Sequence, residues 1–168
     1  VTNSGSGNQG ITTSVPIIVY CREKHLDEET LYRALVFSNL CTIHEKTGIG
    51  RLSAFCGAVC AATSVGVTLT YLKGGTLEQI GNTIRNTFAN ISGIVCDGAK
   101  TTCALKIHTS LQSAFLASKL ALRGKTYDAN TGILKGSCES TIDAIGILGK
   151  EGMKETDKII LNIMLEKE

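Results

Sequence analysis

The run from Leu52 to Leu72 carries no charged residue. A segment of that length has two ways to avoid water. It can cross a membrane, which takes about 20 apolar residues, or neighbouring elements of the same fold can cover it on every side. Ser53, Thr63, Ser64, Thr68 and Thr70 dilute its apolar character, and Gly57, Ala58, Ala61 and Ala62 are too small for strong insertion. The run is therefore read as a buried central helix and not a membrane span. The fold class that follows is all-α, a compact multi-helix domain built around that helix.

Other segments supply the covering helices. Ser14–Lys24 has the apolar residues Val15, Ile17, Ile18 and Val19, with Ser14 as a cap and Pro16 in the first turn, where proline is tolerated. Asp27–Lys46 places Leu31, Ala34, Leu35, Ser38 and Cys41 at helical spacing, begins with three acidic residues and ends before Gly48 and Gly50. Thr76 with Gln79 three residues later predicts a capping box opening a helix to Ile91. Ser92–Ala99 interrupts the pattern, Lys100–Leu122 resumes it, and 125–137 is irregular. Glu139–Leu148 and Lys154–Lys167 are the last two helices, the second with Ile159, Ile160, Ile163 and Met164 on one face. No strand alternation and no internal repeat is present.

Composition narrows the partners. Of the 168 residues, 43% are hydrophobic and 19% charged, which places the chain among folded proteins. The net charge of +2 comes from interspersed charges with no basic block, so no nucleic-acid partner is expected. Seven cysteines, an odd number scattered through apolar and helical patterns, point to a reducing, cytoplasmic compartment and not to a disulfide scaffold. Cys21, Cys41 and Cys60 read as small buried hydrophobes. The first residue is Val1, as expected of a fragment or processed chain.

Three places could carry chemistry. The loop Asn3–Gly10 is rich in glycine and hydroxyl or amide side chains, and a helix follows closely. Its backbone N–H groups could cradle a carboxylate, or it could be a plain surface loop. It is no P-loop, lacking a Gly-Lys-Ser/Thr ending. Cys96 stands at a break between helices, followed by Asp97-Gly98 and a helix start, an arrangement that lowers a thiol's pKa and suits a nucleophile or a metal ligand. An incidental cysteine beside a turn fits equally well. Cys56 has Cys60 one turn later, but no tight Cys-x-x-Cys pair exists, which disfavours zinc. Cysteines far apart in sequence better fit a cluster built between helices. His25, His44 and His108 show no ligand spacing.

The strings Gly5–Ile11 (GSGNQGI), Arg51–Gly66 (RLSAFCGAVCAATSVG) and Gly93–His108 (GIVCDGAKTTCALKIH) together resemble, in the same order, motifs of the L-cysteine desulfidase family of the UPF0597 type, related to the iron–sulfur L-serine dehydratase α chain. The resemblance covers essentially the whole chain and matches the C-terminal part of the family's catalytic domain, so 1–168 is expected to lack the N-terminal half. It implies a [4Fe–4S] cluster held by three cysteines, with Cys56 and Cys96 at two of the ligand positions. In the desulfidase branch the third lies in the absent half. In the dehydratase branch it follows the second closely, and Cys103 stands roughly there at a shorter gap.

The resemblance further implies a lyase carrying out α,β-elimination from L-cysteine to sulfide, ammonia and pyruvate, or from L-serine in the dehydratase branch. Ser4, Gly5, Ser6, Gly7 and Asn8 would hold the small amino-acid substrate by its carboxylate. No general base can be assigned. Lys100 is near the cluster by sequence but equally suits a helix-start surface position. The isolated fragment is expected to be inactive and without its cluster. The missing half of the protein is its expected partner, and a homo-oligomer remains open. Two readings of other classes remain: a non-catalytic binding or structural module of the same fold, and a thiol redox protein using Cys96 and Cys103.

Overall fold

The structure, a computed structural model, describes residues 1–166. Seven α-helices and a π-helical turn make it up, with no strand among the described residues: α1 Gly7–Glu23, α2 Glu28–Ile49, α3 Gly57–Leu72, α4 Leu77–Asn90, α5 Cys103–Leu122, α6 Cys138–Ile147, the π turn Leu148–Gly152, and α7 Lys154–Leu165. The all-α class holds. The predicted end of the last helix at Lys167 lies outside the described residues.

Helix α3 is the axis. Every residue from Gly57 to Thr70 is buried, and α1, α2, α4 and α5 all pack on it. Its four buried hydroxyls are tolerated because each donates within the helix: Thr63 to the Val59 carbonyl, Ser64 to Cys60, Thr68 to Ser64 and Thr70 to Gly66, at 2.8–3.0 Å. A buried hydroxyl left unpaired would cost about 1–3 kcal/mol. The Thr70 hydroxyl also lies 2.8 Å from those of Thr83 and Ser118, joining α3 to α4 and α5. Small residues set the spacing. A Cβ on Gly66 would stand 2.7 Å from the Ala114 carbonyl oxygen, so α3 and α5 approach backbone to backbone. No helix among the described residues is long and apolar enough to cross a membrane.

Two clusters fill the interior. Ile17, Cys21, Ala34, Val65 and Leu69 join α1, α2 and α3. Phe55, Val59, Val67, Phe88, Ile142 and Ile145 join α3 to α4 and α6. The predicted capping box at Thr76 and Gln79 is present.

Three boundaries differ from the sequence reading, and each shapes the cleft described below. Helix α1 starts at Gly7, not Ser14, with the Ser6 side chain accepting from the Gln9 amide; Pro16 therefore sits mid-helix. Residues 52–56 are not helical. Ala54–Cys56 pair with Ile94–Cys96 and are buried there, whereas Leu52, expected inside, is 95% exposed. Helix α5 begins at Cys103, with 100–102 forming a turn before it. Helix α7 keeps the predicted apolar face but buries no residue.

Candidate functional site

Two short segments with little helix propensity bring the key cysteines together. Ala54–Cys56 and Ile94–Cys96 pair through two backbone hydrogen bonds, the Cys56 amide to the Ile94 carbonyl at 2.8 Å and the Cys96 amide to the Ala54 carbonyl at 2.7 Å. Ser53 pins the first segment, donating to the Gly149 carbonyl at 2.6 Å and accepting from the Phe55 amide at 3.0 Å. Cys56 then becomes the N-cap of α3. Two cysteines forty residues apart in sequence are thereby brought together, near enough for their thiols to influence one another.

That contact separates their chemistry. The Cys96 thiol is lowered to about 6, first because the Cys56 thiol donates to it, then by the Gly98 amide and the nearby Lys106. Cys56 is pushed far up by giving that proton and by burial. The pair thus holds one thiolate at neutral pH, centred on Cys96. Lys106 pairs with Asp97, which the ammonium holds below the usual carboxylate range. Lys100, the lysine suggested by sequence proximity, is exposed, and only its backbone amide reaches the cysteines, donating to Cys103 Sγ at 3.4 Å.

Both cysteines line a cleft of about 380 Å³. The N-terminal loop forms its opposite wall. Asn3 and Ser6 exchange backbone hydrogen bonds across a tight turn in which Ser4 (φ 50°) and Gly5 (φ 82°) take the left-handed conformation. Asn3 fastens this turn to α2 through Asn39 at 2.9 Å. Ser4, Gly5, Ser6 and Asn8 line the cleft, whereas Gly7, also named from sequence, is exposed and does not. Cys103 lines the cleft too. Among the described residues, no three histidine, cysteine or acidic side chains lie close enough together to hold a metal ion.

The N-termini of α1, α3 and α5 all open on this cleft, at Ser6–Asn8, Cys56–Ala58 and Cys103. Unpaired amides and the positive ends of three helix dipoles therefore converge where thiolate and any anionic ligand would sit. Gln9, Lys46 and Arg51 complete the wall. The sequence reading included Gln9 in the candidate loop Asn3–Gly10 without giving it a role, and it did not single out Lys46 or Arg51. Lys46 closes a helix and follows Glu45, a pair indistinguishable by pattern from ordinary surface charges. In the structure both are buried.

Cys21, Cys41 and Cys60 are held as thiols. Burial raises Cys21 and drives Cys60 well above its ordinary value, and Cys41 is pushed up to about 12 by burial and then by the Glu45 and Glu139 carboxyls. Glu45 is itself raised well above the carboxylate range by burial, with the Ser64 hydroxyl 3.4 Å away. Cys21 and Cys60 are fully buried, as read from sequence, and Cys41 is half-buried.

The fold is an all-α bundle whose two juxtaposed cysteines line a cleft on which three helix N-termini open. The sequence model of the serine dehydratase alpha chain matches residues 1–162, and the chain belongs to that family. UPF0597 proteins are close to it: that of Treponema denticola is 51% identical over 99% of this chain and 38% of its own length. Those of Desulfitobacterium hafniense (53% identical, 99% and 39%) and Lachnoclostridium phytofermentans (51%, 98% and 40%) are similar. The chain thus spans about two fifths of the length of these relatives. No solved structure matches it.

Proposed function

We propose that this chain is the C-terminal part of the catalytic domain of an iron–sulfur lyase that eliminates across the Cα–Cβ bond of L-cysteine: L-cysteine and water give pyruvate, ammonia and hydrogen sulfide. The observation that carries the reading is the placement of Cys56 and Cys96, brought together by the pairing of two backbone segments, in the wall of a cleft where three helix N-termini meet. A thiolate is the form that ligates iron. Cys56 and Cys96 would hold a [4Fe–4S] cluster, and the small residues Gly57, Ala58, Gly98 and Ala99 leave room beside them. Two thiolates do not complete such a site. The third comes from the rest of the protein or from a reoriented Cys103.

When bound, the cluster supplies Lewis-acid stabilisation of the departing β-substituent. The chain's own residues do the rest that is visible here. Ser4, Gly5, Ser6 and Asn8 bring hydroxyl, amide and backbone donors to the wall facing the cysteines, and the N-terminus of α1 favours the substrate carboxylate there. Lys106 draws electron density toward Cys96 and keeps Asp97 ionised beside it. The base that removes the α-proton belongs to the remainder of the protein.

The family match to the serine dehydratase alpha chain favours a second reading, in which L-serine is the substrate and water the leaving group. Anaerobic purification of the full-length protein tests both. A brown protein with about four irons and a broad band near 400 nm is expected, releasing pyruvate with sulfide from L-cysteine or pyruvate alone from L-serine. A colourless, iron-free protein after reconstitution would overturn the cluster and favour a binding module or a thiol redox protein.

A further inference from the structure

Two buried polar side chains in the cleft wall lack the partners that burial demands. Gln9 is 7% exposed, and its Oε1 makes no hydrogen bond. The amide is wedged against Gly57, where any Cβ would collide with it, so the first residue of α3 has to be glycine for Gln9 to reach the cysteine side of the cleft. Lys46 is 5% exposed as a residue, and among the described residues it forms no ion pair. Its neighbour Glu45 points into the core toward Ser64 and not into the cleft. Both Gln9 and Lys46 line the cleft that holds Cys56 and Cys96.

An unpaired amide oxygen accepts only from a donor, and an unpaired ammonium offers only donors. Burying the amide oxygen without a partner is costly, and a cation without a counter-ion favours an anion beside it. The ligand that satisfies both carries a cationic N–H group and an anionic oxygen pair on one small frame. That is the description of a free α-amino acid.

We propose that Lys46 binds the carboxylate and Gln9 the ammonium of the amino-acid substrate. This rests on the lyase reading for the substrate's identity, but the recognition itself depends on the two ends of the molecule and not on the cluster. The clamp selects zwitterions. It discriminates against an amino-acid amide, which lacks the anion, and against a hydroxy acid, which lacks the ammonium. Because both residues come from elements anchored on α3, the clamp is formed before ligand arrives.

The test uses the full-length protein in its cluster-free form, followed by thermal unfolding with L-serine, L-serinamide and 3-hydroxypropionate. L-Serine should stabilise the wild type most. Lys46→Gln should make L-serine and its amide equivalent, and Gln9→Met should make L-serine and 3-hydroxypropionate equivalent. In the iron-loaded enzyme each substitution should raise KM by roughly 10- to 100-fold, the value of a charge-assisted hydrogen bond, with a smaller change in kcat, and Lys46→Arg should recover part of the loss. The wild-type ligand series stands even if a variant does not fold. Equal stabilisation by all three compounds, no stabilisation by any, or unchanged KM in both variants would overturn the clamp. Failure of the lyase reading has a different signature, absent iron and absent elimination in the wild type, with the zwitterion preference intact.

Discussion

Cys56 and Cys60 lie one helical turn apart on the same helix, yet they behave as different functional groups. Cys60 is deep in the α3 core and is driven well above the ordinary thiol range. Cys56 is the cap residue of that helix, beside the extended segment that brings in Cys96, and the two share one proton. Residue type and burial alone do not separate them, since both are buried. What differs is that the Cys56 backbone at the helix start pairs with another segment of the chain, whereas the backbone one turn later is closed within its own helix. Reactivity here follows the ends of helices, and stability follows their middles.

The largest expected contrast is in the full-length enzyme purified without oxygen. Cys56→Ser and Cys96→Ser should each abolish iron retention and pyruvate release, while Cys60→Ser and Cys21→Ser should keep both and lose about 1–3 kcal/mol of stability from a hydroxyl buried without a partner. Normal iron in Cys96→Ser would erase the distinction.

The interior can be strained without touching the cleft. Gly66→Ala forces a methyl toward the Ala114 carbonyl at the α3–α5 contact. A loss of about 1–3 kcal/mol is expected in denaturant unfolding, with the cluster retained. A neutral result would mean that the two helices can part at little cost.

The shared proton has a pH signature in cluster-free protein. Alkylation of Cys96 should reach half its plateau near pH 6, the value to which Cys56 and its other neighbours lower it, whereas an ordinary thiol is still rising past pH 8. Because the folded state favours the thiolate, this contribution to stability is present above the ordinary thiol range and is lost as pH falls through 6. Cys56→Ala removes the donor, so the midpoint should move up. A midpoint that stays put would assign the lowering to Lys106 and the Gly98 amide alone.

The smallest effect concerns Glu45. Its carboxyl stays protonated in the fold while the unfolded chain ionises above the usual carboxylate pKa, so the wild type should lose stability as pH rises from that point. Glu45→Gln removes the titration. Melting temperatures of the two proteins should coincide in acid and diverge in favour of the variant toward pH 8. Parallel curves would show that Glu45 is ionised in the fold.

How much of this could be read from the chain alone depends on what each feature rests on. The central helix was legible because absence of charge over Leu52–Leu72 has few physical solutions. Its first five residues were misassigned for the same reason: pairing Ala54–Cys56 with Ile94–Cys96 buries a segment without making it helical, and composition does not distinguish the two. The start of α1 was hidden because glycine and threonine at 7–13 are weak helix formers, and only the fastening of Asn3 to Asn39 and packing on α3 hold that turn. Cys56 and Cys96 were named through a family resemblance, and their adjacency comes from the fold. Gln9 fell inside the candidate loop but carried no sign of its own role, and Lys46 carried none at all, because a single sequence does not say which side of α2 faces a cleft built by other elements.

The convergence of three helix N-termini has a consequence for the conditions under which the cleft works. Peptide dipoles do not titrate. A site that drew its positive potential from histidines would switch off as the medium turned alkaline, and one built mainly from mobile surface lysines would fade with added salt. Here a large part of the attraction for anions is carried by the backbone itself, fixed in orientation by the bundle. The backbone's share of the positive potential should therefore persist through the pH range in which Cys96 changes its charge, as a permanent property of the fold.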